Sequence, residues 1–173
     1  CGYNRPSSTR GEPGVMSVAP TVIQALEHRG VAYSIVEHPH TATAAGTAHA
    51  ARVAAAHVAK AVLLKDPGGY VLAVLPASEE LDLDRIARDL HRPMVLASEA
   101  DLADAFFDCE PGAVPAVGED YLIPTIVDDS LRIGGDVYFE AGDHERLVHI
   151  DSGAFGCLMH DAGFLPICRQ RAQ

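Results

Sequence analysis

A lysine at the start of an apolar run is the first residue whose position could serve chemistry. Lys60 stands in "AHVAKAVLLKD", whose apolar residues are typical of a buried strand. Residues of one parity share a face of a strand, so Lys60 lies with Val62 and Leu64. Lys65 lies on the opposite face, beside a Pro-Gly-Gly turn, and is expected to be solvated. A second apolar run follows this turn, so the two runs are predicted to form a β-hairpin. Lys60 is therefore either a strand-end lysine that reaches solvent, or a fixed ammonium that binds a phosphate, carbonyl or hydroxyl oxygen.

A loop rich in proline and glycine, "EPGAVPAVG", is the second feature. Pro111 and Pro115 fix the backbone angle φ, whereas Gly112 lets the backbone approach another group closely. Exposed amides beside a small residue suit a carbonyl oxygen or a developing oxyanion. The alternative is that the loop is only a connection between elements.

Four histidines crowd one part of the chain: His38, His40, His49 and His57. His38 and His40 precede a predicted helix, and His49 and His57 are eight residues apart. This spacing places no compact ligand set on one element, so no metal site is predicted.

The usual nucleophile motifs are missing from the sequence. It contains no G-x-S-x-G, P-loop, H-E-x-x-H or dinucleotide-binding pattern. Cys109 lies beside the glycine loop, but no base is paired with it in the sequence, so we do not predict a thiolate nucleophile. His144 and His149 flank a predicted strand, where surface or supporting roles are expected.

Composition restricts the classes of function. The 173 residues carry 24 acidic and 13 basic side chains, a formal net charge of −11, which disfavours a broad nucleic-acid-binding face. A contact limited to one end of a nucleic acid remains compatible with this charge. No run approaches the roughly 18–20 apolar residues that span a bilayer. The four cysteines form no C-x-x-C pair, which favours reduced thiols and a cytoplasmic location.

The pattern of elements predicts a single α/β domain. Helices are expected in "SVAPTVIQALEHRG", over about 43–52, in "LDLDRIARDLHRP", after Ser98 and in "SGAFGCLMHDAG". The expected N-caps are Thr43 or Thr41 for the second of these helices, Asp82 for the third, and Ser98, in capping-box spacing with Asp101, for the fourth. Six or seven strands with short connections favour a mixed, mostly antiparallel sheet flanked by helices. Residues 1–15 are predicted to be a flexible leader or an expression-derived extension, and 16–173 the working domain.

The order of these segments resembles the YbaK/EbsC family, also called the prolyl-tRNA-synthetase-associated editing domain. The resemblance covers about residues 20–160 and rests on "EHPHTATA", "VAKAVLLKD", "YVLAVLPASEELDLDRIARDL", "EPGAVPAVG", "IPTIVDDSL" and "VYFEAG". It implies a compact α/β fold with a mixed, barrel-like sheet, and hydrolysis in trans of the ester bond of mischarged aminoacyl-tRNA. No cofactor and no metal are expected.

The resemblance also implies site residues. Lys60 matches the family lysine that is placed over the aminoacyl ester and the terminal adenosine. Gly112 matches the glycine of a loop that supplies backbone contacts to the substrate carbonyl; that loop continues through Ala113, Val114 and Pro115. His38 and Thr43 fall in the segment that lines the other side of the pocket.

The chain departs from the family pattern at two places. Val36 replaces an aromatic residue that some members carry, which leaves the amino-acid specificity open. A carboxylate that some members place late in the chain falls on Leu147, so no acidic catalytic residue is assigned. His149, close to that position, is predicted to contact the substrate.

These implications give an expected mechanism and its rivals. Hydrolysis is expected to be substrate-assisted, with Lys60 as an anchor and the Gly112 loop as an oxyanion cradle. The expected partners are the tRNA acceptor end and either a synthetase or an elongation factor. The rival hypotheses are a non-catalytic binding module of the same fold and a metal-dependent hydrolase that uses the histidines.

Overall fold

The computed structural model describes residues 18–133 and 135–169. The proposed leader, residues 1–15, lies outside them. Five α-helices are present in these ranges: α1 (Pro20–His28), α2 (Ala44–Ala50), α3 (Leu83–Leu90), α4 (Glu99–Ala105) and α5 (Ser152–Leu158). Eight strands accompany them: β1 (Ser34–Glu37), β2 (Val58–Asp66), β3 (Gly69–Pro76), β4 (Val95–Leu96), β5 (Thr125–Asp128), β6 (Val137–Glu140), β7 (Arg146–Ile150) and β8 (Gly163–Leu165).

All eight strands form one mixed sheet. Its order is β1-β7-β6-β2-β3-β5-β8, and β4 pairs with β2 beside this path. The pairs β1–β7, β6–β7, β2–β3 and β2–β4 are antiparallel, whereas β2–β6, β3–β5 and β5–β8 are parallel. The sheet is not closed, because its two end strands do not pair with each other. The predicted α/β class with a mixed, mostly antiparallel, barrel-like sheet is confirmed.

The β2–β3 hairpin is the centre of the sheet. Its register runs from Ala59 opposite Pro76 to Asp66 opposite Gly69. Gly69 adopts a φ of +134°, which an L-residue rarely reaches, and Asp66 accepts a hydrogen bond of 2.8 Å from the amide of Gly68. The turn therefore has the chemistry that its Pro-Gly-Gly sequence predicts, and the hairpin prediction is confirmed.

Alternation along the hairpin separates two hydrophobic cores on opposite faces of the sheet. One face carries Ala59, Leu63, Leu72 and Val74 into a core closed by α1 and α5. The other carries Leu64, Val71, Ala73 and Leu75 into a smaller core closed by α3. Since each fully buried aliphatic side chain contributes about 1.5–3 kcal/mol, both faces hold the hairpin in place. The predicted parity of the strand is confirmed.

Two helices begin at the caps that the sequence predicts. Asp82 accepts a hydrogen bond of 2.9 Å from the amide of Arg85 at the start of α3. Ser98 and Asp101 form a reciprocal capping box at the start of α4. Such caps satisfy amides that the first helical turn leaves without a partner.

Lys65 is not simply solvated, as its place beside the turn predicts. Its ammonium lies 2.6 Å from a carboxylate oxygen of Asp101, and the other oxygen of Asp101 accepts a hydrogen bond of 2.8 Å from Tyr70. These contacts tie the hairpin to α4. The sequence does not reveal them, because α4 follows Lys65 by more than 30 residues.

Strand β8 is not predicted from the sequence. It is only three residues long and pairs in parallel with β5. Asp128 holds the segment that follows β8. One oxygen of its carboxylate accepts hydrogen bonds from the amides of Ile167, at 2.9 Å, and Cys168, at 3.2 Å. This strand exists because of a distant partner and not because of its own periodicity.

Candidate functional site

A cavity of about 220 Å³ lies where α2, β2, β6 and the loop before Pro115 meet. It is lined by Ala42, Thr43, Ala44, Thr47, Val58, Ala59, Lys60, Ala61, Gly112, Val114, Glu140, His144 and Leu147. Thr43, Lys60, Gly112 and Val114 belong to the site expected from the sequence. The tertiary structure therefore brings together residues that are up to about 70 positions apart.

Lys60 stands between the cavity and the smaller core. Its register partner on β3 is Leu75, a member of that core, and the neighbouring strand β6 carries Glu140. The half-buried ammonium of Lys60 donates a hydrogen bond of 2.5 Å to the backbone carbonyl oxygen of Glu79. This contact fixes a positive charge beside the cavity wall, where it is available to a ligand oxygen.

The glycine loop has an unusual backbone that a histidine holds. Gly112 has a φ of +82°, in the left-handed region that favours glycine. His144 reaches it with Nε2 at 2.7 Å from the carbonyl oxygen of Pro111. Because a carbonyl oxygen only accepts, Nε2 carries the proton. His144 therefore anchors the loop at the residue before Gly112.

Some backbone amides of the loop are already used. Ala113 donates to the carbonyl oxygen of Glu110 at 3.0 Å, so that amide is engaged. Within 18–133 and 135–169, the backbone amides of Gly112 and Val114 donate no hydrogen bond to a protein acceptor. Both residues line the cavity. These two amides are the donors that the loop can offer to a ligand.

Glu140 is the site residue that sequence reasoning misses. It ends β6, and an oxygen of its carboxylate accepts a hydrogen bond of 3.2 Å from the amide of His144. Burial raises the pKa of the Glu140 carboxyl, and the nearby His144 and His38 oppose the rise. Alternation places Glu140 on the face opposite to the buried Phe139, but nothing in "VYFEAG" indicates that this face lines a cavity.

The carboxylate of the site is not at the position that the family pattern indicates. Leu147 is directly opposite Glu140 in the β6–β7 ladder, and it is fully buried in the cavity wall. The ladder thus puts an acidic and an apolar side chain on the same wall.

The remaining predicted site residues lie at different distances from the cavity wall. Thr43 lines it and also caps α2, accepting a hydrogen bond of 3.0 Å from the amide of Gly46. His38 is also buried, and among the described residues its Nε2 is the one buried side-chain nitrogen or oxygen atom without a hydrogen-bond partner. Ala113 and Pro115 are buried within the loop.

His149 is not among the residues that line the cavity. Its ring stacks on Tyr138 with the ring centroids 4.4 Å apart. Its nitrogens lie 3.0 Å from the hydroxyl of Ser34 and 3.0 Å from a carboxylate oxygen of Asp136. The structure therefore places this histidine in a surface cluster, and its contact with substrate stays a prediction.

Cys109 lies beside the glycine loop in a setting that keeps it protonated. Its thiol is 3.4 Å from the hydroxyl of Tyr121 and 3.6 Å from a carboxylate oxygen of Asp108. Burial, with the Asp108 charge adding to it, raises the pKa of the Cys109 thiol to about 12. A thiol with this pKa is a poor nucleophile at neutral pH.

Two kinds of feature are absent from the described part of the chain. No group of three or more His, Cys, Asp or Glu side chains there is arranged to hold a metal ion. No helix there is long and apolar enough to cross a membrane.

Comparisons with solved structures show a shared fold. A protein described as a candidate trans-editing enzyme for prolyl tRNA synthetase is 24% identical, with a TM-score of 0.76 over 89% of this chain and 100% of that one. A structure from work on epitope backbone grafting onto scaffold proteins is also 24% identical, with a TM-score of 0.77 over 88% and 98%. A candidate signal transduction protein from Marinobacter aquaeolei VT8 is 19% identical, with a TM-score of 0.72 over 87% of this chain and 30% of that one.

The family comparison goes further than the fold. A search of curated proteins finds no match to the chain. The model of the aminoacyl-tRNA editing domain matches residues 38–155, which is more than half of the chain and includes every residue that lines the cavity. This chain therefore belongs to the aminoacyl-tRNA editing domain family.

Proposed function

We propose that the chain is a deacylase that hydrolyses the ester bond of mischarged aminoacyl-tRNA in trans. The observation that carries the proposal is a single cavity, inside the matched editing domain, with Lys60, Thr43 and Gly112 in its walls. A fixed ammonium on one side and two unused amides on the other suit the oxygens of an ester.

In the proposed reaction, a water oxygen attacks the carbonyl carbon of the ester, and the carbonyl oxygen gains negative charge. The amides of Gly112 and Val114 stabilise that charge as it develops. The carbon–oxygen bond to the ribose then breaks, and the ribose oxygen takes a proton that originates from the water. A neighbouring ribose hydroxyl orients the water, so this route needs no nucleophile from the protein.

Lys60 serves as the anchor for a substrate oxygen, at the carbonyl or at the sugar-phosphate end. An ammonium has three donors, and the Glu79 carbonyl takes one of them. Apart from Lys60, Glu140, His144 and two threonines, the wall consists of glycine and apolar residues, among them alanines on α2 and β2. Such a wall sorts side chains by size, at about 1–3 kcal/mol for each methylene.

The charge of the protein limits the proposed contact with tRNA. A net charge of −11 opposes binding along the phosphate backbone, so we propose contact with the acceptor end only. A synthetase or an elongation factor would supply the remaining affinity. Binding of free tRNA should therefore be weak and depend little on salt, and a steep loss of affinity with salt would contradict this part of the proposal.

The test is deacylation of tRNAs charged with Ala, Ser, Cys or Pro by the wild type, Lys60→Ala and Lys65→Ala. Lys65 is a matched control, since it lies on the same strand and faces away from Lys60. We expect Lys60→Ala to lower kcat/KM about 10- to 100-fold, the loss of one charge-assisted hydrogen bond. Circular dichroism establishes that each variant is folded.

Two outcomes would contradict the proposal. If the wild type hydrolyses none of the esters, the chain is better explained as a binding module of the same fold. If Lys60→Ala and Lys65→Ala lose activity equally, the ammonium of Lys60 has no special role in the reaction.

A further inference from the structure

The cavity contains one carboxylate that the proposed reaction does not use. Glu140 is the only acidic side chain among the described residues that line the cavity. One of its oxygens accepts a hydrogen bond from the amide of His144. The other oxygen has no protein donor within the described ranges. No cationic side chain of those ranges lies within ion-pair distance of it.

Burying such a group even in part is costly for the free protein. A carboxylate removed from water loses free energy unless a cation or several hydrogen bonds replace the lost hydration. Burial accordingly raises the pKa of the Glu140 carboxyl. A ligand that brings a positive charge and hydrogen-bond donors would compensate for this cost.

The position of Glu140 relative to the proposed ester determines which ligand group it meets. Ala59 pairs with Phe139 across β2 and β6, so one residue further Lys60 is level with Glu140 on the same face. Adjacent strands lie about 5 Å apart. An ester carbonyl held near Lys60 and the Gly112 loop therefore has its α-carbon substituents within reach of Glu140.

We infer that Glu140 binds the α-amino group of the esterified amino acid. The inference rests on the proposed function and specifies its substrate class: esters of acids that carry a free α-amino group. The amino nitrogen is two bonds from the carbonyl carbon in every amino acid, whereas side chains differ in length. The apolar wall, which includes Leu147 and Val58, is left for the side chain.

The test compares an aminoacyl-tRNA with its α-hydroxyacyl counterpart, such as alanyl- and lactyl-tRNA, which differ in size by very little. Wild type, Glu140→Gln and Glu145→Gln are assayed for kcat/KM on both. Glutamine at 140 keeps the oxygen that accepts the His144 amide, so the fold is retained. Glu145 is exposed and close in sequence, so Glu145→Gln removes the same charge outside the cavity.

We expect the wild type to prefer the amino compound by about 10- to 100-fold, the range of one charge-assisted hydrogen bond. Glu140→Gln should lose that preference by slowing only the amino compound, and Glu145→Gln should keep it. An equal loss on both substrates would overturn the inference and indicate a role for Glu140 in the chemical step. Unchanged activity of Glu140→Gln on the amino compound would overturn it as well.

A binding measurement separates this inference from the proposed function. The probes are 3′-alanylamino-3′-deoxyadenosine and its lactyl counterpart, amides that the reaction does not cleave, titrated by calorimetry. If no ester is hydrolysed but the amino probe binds more tightly than the hydroxy probe, and Glu140→Gln abolishes the difference, the inference stands and the deacylase proposal fails. Equal affinity of the wild type for both probes would overturn the inference.

Discussion

Replacing Gly112 with alanine tests whether the left-handed loop serves the cavity. The residue has a φ of +82°, and a Cβ there would lie 3.6 Å from Cε1 of His144. That distance is an ordinary contact, so no steric clash is expected. The alanine variant must either keep a strained backbone or relax it, and relaxation would move the amides of Gly112 and Val114.

The expected loss of stability follows from the backbone strain of the alanine variant. A left-handed conformation costs an L-residue about 1–2 kcal/mol. In a domain of this size each kcal/mol lowers Tm by about 2–4 °C, so the expected drop is about 2–8 °C. If the loop amides stabilise the oxyanion, their displacement should lower kcat by at least about 10-fold, since losing one such donor costs about 10²–10³.

Gly30→Ala is the matched control. Gly30 follows α1 with a φ of +60°, and a Cβ there would meet nothing within 4 Å. It does not line the cavity. Thermal unfolding by circular dichroism should therefore give a similar drop in Tm for both variants, whereas deacylation should show a kcat loss for Gly112→Ala only.

Two results would refute this reasoning. A Gly112→Ala enzyme with the kcat of the wild type, beside a Gly30→Ala control that loses the expected stability, would mean that the loop geometry does not serve the reaction. A Tm loss for Gly112→Ala far beyond that of Gly30→Ala would mean that contacts around the loop, and not its backbone angle, dominate.

Two further predictions concern titratable groups. Hydrogen bonds from Lys65 and Ser98 lower the pKa of the Asp101 carboxyl below 3.8, so its stabilisation is present above about pH 4 and is lost as the pH falls. Asp101→Asn should therefore lower Tm at pH 7, and the difference from the wild type should shrink as the pH falls below about 4; a constant difference would contradict the assignment. Burial raises the pKa of Cys109, so iodoacetamide at pH 8 should alkylate the exposed Cys157 well before it, as mass spectrometry of the folded protein would show, and the reverse order would contradict the burial argument.

Much of the site could be predicted because its determinants are local. The parity of Lys60 follows from a strand that runs through its own residues, and the left-handed Gly112 follows from a residue type that tolerates it. Thr43 is one of the two threonines, with Thr41, that the sequence offers as the cap of an alanine-rich helix, and the structure shows it as the cap. The family resemblance supplied what local chemistry does not, namely that these segments meet.

The acidic residue was missed for a physical reason. A glutamate at the end of a short strand has no local signature that separates a solvated side chain from one that lines a cavity. Glu140 comes close to Lys60 only through the parallel pairing of β2 with β6. The role of His144 is equally hidden in the sequence, since its hydrogen bond to the carbonyl oxygen of Pro111 joins positions 33 residues apart.

The sequence by itself determined the hairpin, the caps of α3 and α4, and the faces along β2. In each of these features, the residues that determine the local structure are within a few positions of one another, so the rules for turns, caps and alternation apply. The tertiary structure alone decided the pairing of β8 with β5, the bond of Lys65 to Asp101, and the placing of Glu140 across from Lys60. These depend on contacts between distant segments, whose closure is driven by the burial of both faces of the sheet and leaves no periodic pattern in either segment.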